Sequence, residues 1–278
     1  YSSVSDALVE HARLLADRLV RERSLSGGSL VVEAASNDGY LLQHYRRAGV
    51  PVLGIEPAGA IADVALRQRG IPTRVEFFGR ETARRLREEG LRADVLHAHN
   101  VLAHVPDPGG FVDGIRLLLR DDGLAVIEVP YLPSLVDRLE FDTIYHEHLG
   151  YFSLTALEGL FERHGLRVRD VERLTIHGGS IRVFAVPAAA DVAPLDRVAR
   201  LRDEEAAWGV RSIDRYRAFA TRVLRLRDTL RSTLAALKGA GRRIAAYGAS
   251  AKGTTLLSFC GIGRETLDFV VDRSPAKQ

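Results

Sequence analysis

Short apolar runs alternate with helix-length segments through the first half of this 278-residue chain, and few folds accommodate that alternation. Strands are expected at 29–33, 52–55, 93–98 and 124–129. Helices are expected at 40–48, 58–69, 82–89 and 109–119, after a leading amphipathic helix over 3–24 that ends at Gly27-Gly28. Strict alternation of this kind builds an open α/β sheet, mostly parallel, with helices on both faces. Residues 141–152 carry no clear period. A helix at 154–164 and two strands at 168–174 and 180–186, paired as an antiparallel edge hairpin, close the first unit.

The Pro- and Ala-rich stretch 187–194 is the natural boundary. A long amphipathic helix over 195–238, breakable near Gly209, leads to a strand at 243–248 and a further helix. The expected organisation is therefore a domain over 1–186, a linker over 187–194, and a second unit over 195–278. The long helix could pack on a partner or bridge the two units, so oligomeric state stays open.

Composition narrows the functional classes. Net charge is +3, and the arginines are interleaved with Asp and Glu, which reads as solvated helix faces and not as a nucleic-acid surface. The single cysteine, Cys260, excludes an internal disulfide and a multi-cysteine metal site. No apolar run reaches membrane-spanning length and no secretory leader opens the sequence, so a cytoplasmic location is the expectation.

In such sheets the ligand crevice lies at the carboxyl ends of the strands. The first strand delivers Glu33-Ala34-Ala35-Ser36-Asn37-Asp38-Gly39 there, and the second delivers Glu56-Pro57, an acid spaced to accept hydrogen bonds from ribose hydroxyls. Ala34 and Ser36 stand where a dinucleotide fingerprint carries glycine, which counts against NAD; S-adenosylmethionine has no phosphate to be brought close. An ordinary tight turn is the competing reading. The third strand ends at Asn100, placed to touch a cofactor's amino-acid portion, and His104 follows within reach of a substrate.

The stretch 141–152 gathers Tyr145, His146, Glu147 and His148. Titratable groups crowded this way couple to one another. The zinc-protease pattern fails because the histidines are two apart, and no third ligand supports a metal pair; no metal is assigned. At the second unit's strand-to-helix turn, Ser250, Lys252 and Gly253 suit an anion, with a helix cap and a solvated lysine as the alternative. Ser180 and Arg182 are further substrate candidates.

Glu33 to Gly39, Asn100 to His104, Tyr145 to Tyr151, His177-Gly178-Gly179-Ser180 and Tyr247 to Gly253 together resemble the sugar C-methyltransferases of antibiotic deoxysugar biosynthesis. The resemblance implies a class I methyltransferase Rossmann-like, doubly wound sheet followed by a second Rossmann-like domain, here expected to be truncated. It implies S-adenosylmethionine as cofactor, S-adenosylhomocysteine as product, and a nucleotide-linked keto-deoxysugar as partner. The reaction implied is methylation at C3 of a dTDP-linked 4-keto deoxysugar through an enolate. His148 is then the base, with Glu147 and Tyr145 beside it and His104 assisting near the oxyanion. A carbon acid beside a ketone does need a base of near-neutral pKa and a donor for the developing charge. Relatives carry an N-terminal cysteine-rich zinc domain; zinc is expected only there, outside this sequence, and turnover by these 278 residues alone is expected to be weak. The competing readings are an O- or N-methyltransferase on a sugar nucleotide, a NAD-dependent oxidoreductase or epimerase, and a non-catalytic nucleotide-binding protein.

Overall fold

The computed structural model describes residues 2–190 and 192–273; Tyr1, Asp191 within the expected linker, and 274–278 lie outside the described residues, as do the side chains of Ser2 and His177. Seven strands form one sheet: β1 (Val31–Ala34), β2 (Val52–Ile55), β3 (Thr73–Arg74), β4 (Ala93–His99), β5 (Leu119–Pro130), β6 (Leu166–Leu174) and β7 (Ser180–Pro187). Their order is β3-β2-β1-β4-β5-β7-β6. β7 runs antiparallel to both its neighbours, whereas the pairs from β3 to β5 are parallel. The order reverses between β1 and β4, so the strand ends carrying Glu33 and His99-Asn100 flank the switch point where such sheets bind ligands.

The two faces of the sheet bury different things. Val32, Ala34, Leu96, Ala98, Ile127 and Val129 join one core with the helices Arg80–Glu88, Pro108–Leu118 and Leu154–Arg163. Val31, Val95, Val126 and Phe184 join the other with the helices Asp6–Glu22 and Leu42–Arg47. In the leading helix, Ala12, Leu15, Ala16 and Leu19 are buried at i, i+3, i+4, i+7 spacing, one stripe facing the sheet. Toward the carboxyl ends of the strands this second face turns polar, with Glu33, His97, His99, Glu128 and Arg182 all buried.

The expected long helix is two helices, Asp196–Trp208 and Ile213–Gly239, broken at Gly209. The first of them packs back on the seven-stranded sheet: Val198 and Leu201 enter its core. Buried Glu205 accepts hydrogen bonds from the Leu154 and Thr155 amides at 2.6 and 2.8 Å. That carboxylate therefore supplies acceptors at the start of a neighbouring helix, where amides lack partners. Beyond Gly239, β8 (Ala245–Tyr247) and β9 (Phe269–Val271) pair in parallel across the helix Ala251–Cys260, one βαβ unit. This smaller unit touches the first where Phe259 packs on Phe141 at a ring separation of 4.9 Å.

Two elements escape the sequence pattern. β3 has two residues, too few to show a period. The helix Leu132–Arg138 is about two turns with Pro133 in the first, in a stretch between 129 and 141 for which no element is expected.

Candidate active site

At the carboxyl end of β1 the chain turns sharply: Ala35, Asn37 and Gly39 all have positive φ. Gly39, at φ +75°, could not be another residue without strain, since a Cβ there would lie 2.8 Å from Ile71. The turn is pinned by Glu56, which accepts from the amides of Asn37 (3.0 Å) and Ala58 (2.9 Å). Glu56 thus binds two strand ends together and has lone pairs left for a ligand. Pro57 follows it, partly exposed.

Several buried acceptors at this end of the sheet lack protein partners among the described residues: Glu33 Oε2, Ser36 Oγ, Asp38 Oδ1 and Asn100 Oδ1. The other Asp38 oxygen accepts from Ser3 Oγ at 2.5 Å. Burial pushes the Glu33 carboxyl well up, and the charges of Asp38, Glu128 and Glu56 push it further. A desolvated cluster of carboxylates with free acceptor atoms favours a cationic ligand rich in donors. S-adenosylmethionine, with its sulfonium, ammonium and ribose hydroxyls, fits that set. Ala34 is buried in the strand and contributes no polar side chain.

Next to it lies a cavity of about 210 Å³, lined by Asn100, His104, Tyr131, Glu140, Thr143, Tyr145, His148, Gly179 and Lys252, among others. His148 Nδ1 donates to the Thr143 carbonyl at 2.7 Å. That bond fixes the tautomer and leaves Nε2 with its lone pair. Tyr145 Oη stands 3.5 Å from Nε2, a neighbour and not a strong hydrogen-bond partner. The His104 and His148 rings meet edge to face at 4.8 Å. Burial and the adjacent His148 lower the His104 pKa, partly offset by a backbone hydrogen bond with Glu147. Burial, with the Glu147 charge, raises the Tyr145 phenol, which stays protonated as a donor.

The remaining sequence candidates divide. Lys252, from the second unit, reaches the cavity, whereas Ser250 Oγ is spent capping its helix, accepting from the Gly253 amide at 3.1 Å. The capping reading therefore holds for Ser250, and Gly253 supplies the amide it caps. Glu147 does not enter the cavity with its side chain: the carboxylate is 57% exposed, 3.9 Å from exposed His146.

Arg182 corrects the sequence reading. It is 5% exposed and does not line the cavity, being bonded to Glu128 at 2.6 Å and Glu172 at 3.0 Å. The alternation along β7 turns it under the leading helix, where it offsets buried charge. Ser180 is buried too, its hydroxyl donating to the Ile176 carbonyl at 3.2 Å. A larger cleft, about 1130 Å³, opens at the other ends of the strands beside Arg92 and Arg120. None of the sequence candidates lines it.

Sequence reasoning missed Glu140, Tyr131 and the Thr143 carbonyl, which come from the unrecognised helix and the turn after it. It also missed the buried chain Tyr45–His97–His99, linked at 2.8 and 3.0 Å, that runs toward Glu128. A carboxylate inside the otherwise apolar run 124–129 was the available signal.

Comparison with known proteins bears on this geometry. Residues 8–171 match a methyltransferase domain, and residues 175–278 match a C-methyltransferase C-terminal domain. The C-methyltransferase NovU of Streptomyces niveus is 40% identical over 277 residues, all of this chain. The chain belongs to the S-adenosylmethionine-dependent C-methyltransferase family. It spans 66% of the length of NovU. Among solved structures, the magnesium protoporphyrin IX methyltransferase ChlM of Synechocystis PCC 6803 with bound SAH superposes with a TM-score of 0.52 at 14% identity. That match covers 64% of this chain and 83% of ChlM. A SAM-dependent methyltransferase from Anabaena variabilis gives 0.51 at 12% identity, over 63% and 84% of the two chains. At such identities the likeness concerns the fold: a class I methyltransferase Rossmann-like sheet, here followed by a smaller C-terminal domain. Among the described residues no helix is long and apolar enough to cross a membrane.

Proposed function

We propose that this C-methyltransferase alkylates C3 of a dTDP-linked 4-keto deoxysugar, as a step in antibiotic deoxysugar biosynthesis. The observation that carries the reading is the state of His148: one ring nitrogen is committed to the Thr143 carbonyl, and the other is an uncommitted base lining the acceptor cavity. A ketone acidifies the neighbouring C–H, and a positioned imidazole with a free ring nitrogen is suited to remove that proton.

The remaining residues have consistent roles. Tyr145, protonated, and His104 stand beside His148 as donors for the oxyanion that forms on the ketone oxygen. Lys252 offers a cation toward the diphosphate of the carrier. Glu33, Asp38, Glu56 and Asn100 hold the cofactor, with Glu56 taking the ribose hydroxyls and Asn100 the amino-acid end. S-adenosylmethionine, when bound, supplies a methyl group on a sulfonium, already electrophilic enough that orientation provides much of the rate.

Methylation of a sugar oxygen or nitrogen would use the same cofactor and a base of the same kind. The C-methyltransferase match over residues 175–278 favours carbon. The test is exchange of the C3 proton with deuterated solvent, without cofactor, followed by NMR. Exchange that disappears in His148→Gln supports the reading. Normal methylation with no exchange under any condition argues for a heteroatom acceptor.

A further inference from the structure

We propose that Glu140 determines acceptor specificity, its carboxylate accepting a hydrogen bond from a hydroxyl or amine on the ring of the methyl acceptor. This rests on the cavity being the acceptor site, as argued above.

The backbone holds Glu140 in place by unusual means. Leu139, a non-glycine residue, adopts the left-handed conformation (φ 59°) to end the helix Leu132–Arg138, and the Glu140 amide donates to the Leu135 carbonyl at 2.9 Å. Strained backbone of this kind persists where the surroundings enforce it, and clusters at functional sites. Across from it, Gly178 has φ +82°, and a Cβ there would overlap the Glu140 carboxylate. Both the turn and the facing glycine make room for this one side chain.

The carboxylate so placed has no hydrogen bond or ion pair among the described residues. Outside the cofactor end of the sheet, the acids Glu128, Glu172 and Glu205 each hold two or more partners. Lys252 shares the cavity wall with Glu140 and lies beyond ion-pair distance. Partial burial raises the Glu140 pKa, and the Lys252 charge draws it back. A half-buried carboxylate facing a cavity repels phosphate and ketone oxygens and attracts donors. Its natural complement on a sugar ring is a hydroxyl or an amine, while Lys252 serves the anionic end.

The experiment measures kcat/KM, in the complete gene product carrying these residues, for three dTDP-linked 4-keto deoxysugars: 3-hydroxy, 3-amino and 3-deoxy. Wild type should prefer a donor-bearing acceptor over the deoxy one by about 10- to 100-fold, the worth of a charge-assisted hydrogen bond. In Glu140→Ala that preference should fall to within about threefold, with S-adenosylhomocysteine affinity and Tm unchanged. Glu140→Gln keeps an acceptor oxygen without the charge, so it should retain more of a hydroxyl preference than of an amine preference. An equal preference in wild type and Glu140→Ala, or none in wild type, overturns the assignment. The base reading is judged separately: if wild type exchanges the C3 proton with solvent while Glu140→Ala keeps full discrimination, only the role of Glu140 fails. Absence of exchange with every acceptor removes the reading on which it rests.

Discussion

His148 donates its Nδ1 proton to the Thr143 carbonyl at 2.7 Å, and this single bond decides which nitrogen of the ring is available for chemistry. A side-chain acceptor could rotate away or take up a proton. A backbone carbonyl at the end of the 3₁₀ turn Phe141–Thr143 does neither, so the imidazole keeps one tautomer. The same turn packs on the second unit through Phe141 and Phe259, which ties the orientation of His148 to the seating of Lys252.

Replacing His148 by Gln should lower kcat by about 100- to 10,000-fold, the usual weight of a general base. Affinity for S-adenosylhomocysteine, measured by calorimetry, should stay within about twofold of wild type. A comparable loss of cofactor binding would mean that the residue supports the fold.

Glu56→Ala should weaken S-adenosylhomocysteine binding by about 10- to 100-fold, because charge-assisted hydrogen bonds are worth ~1.5–3 kcal/mol each. The variant also loses the acceptor for the Asn37 and Ala58 amides, so the turn at the end of β1 loosens with it. Unchanged calorimetric affinity would remove Glu56 from the cofactor site.

Arg182→Met should destabilise the protein by about 3–5 kcal/mol, since it leaves the buried Glu128 and Glu172 short of a cation. The denaturant midpoint should fall while the cavity residues stay in place. If KM for the acceptor rose without a loss of stability, Arg182 would have to be returned to the substrate site.

Acid should unfold this protein through its second face. His97 and His99 are buried and held neutral; burial lowers both, His99 to about 4 from an ordinary 6.5. Between those two values the unfolded chain binds more protons than the folded one, so stability present above pH 6.5 is lost as pH falls toward 4. The His99 shift alone corresponds to roughly 3 kcal/mol. Thermal melts from pH 7 to 4 should show the decline, and His99→Gln should flatten it. Identical slopes in the two proteins would show that other groups govern acid stability.

The alternation of strands and helices made the parallel half of the sheet legible, because each strand buried on both faces reads as an apolar run. The switch-point residues followed from it: Glu33, Glu56 and Asn100 stand at strand ends, where position along the chain nearly fixes position in space. Residues brought in by short irregular elements were not legible in this way. Glu140 hangs on a left-handed leucine and a helix of seven residues, neither of which leaves a periodic trace. Arg182 misled for another reason. Its side of the sheet depends on strand alternation relative to a polar layer formed by His11, His99 and Glu128, residues distant in sequence. The cap at Ser250 and the reach of Lys252 are separated by two positions, and only the docking of the second unit distinguishes them.

The most direct measurement is NMR of the product formed from dTDP-linked 4-keto deoxysugar and S-adenosylmethionine labelled with ¹³C in the methyl group. The label is expected on C3, bonded to carbon, with its appearance slowed at least about 100-fold in the His148→Gln protein. A label found on oxygen or nitrogen, or transfer undiminished without His148, would contradict it.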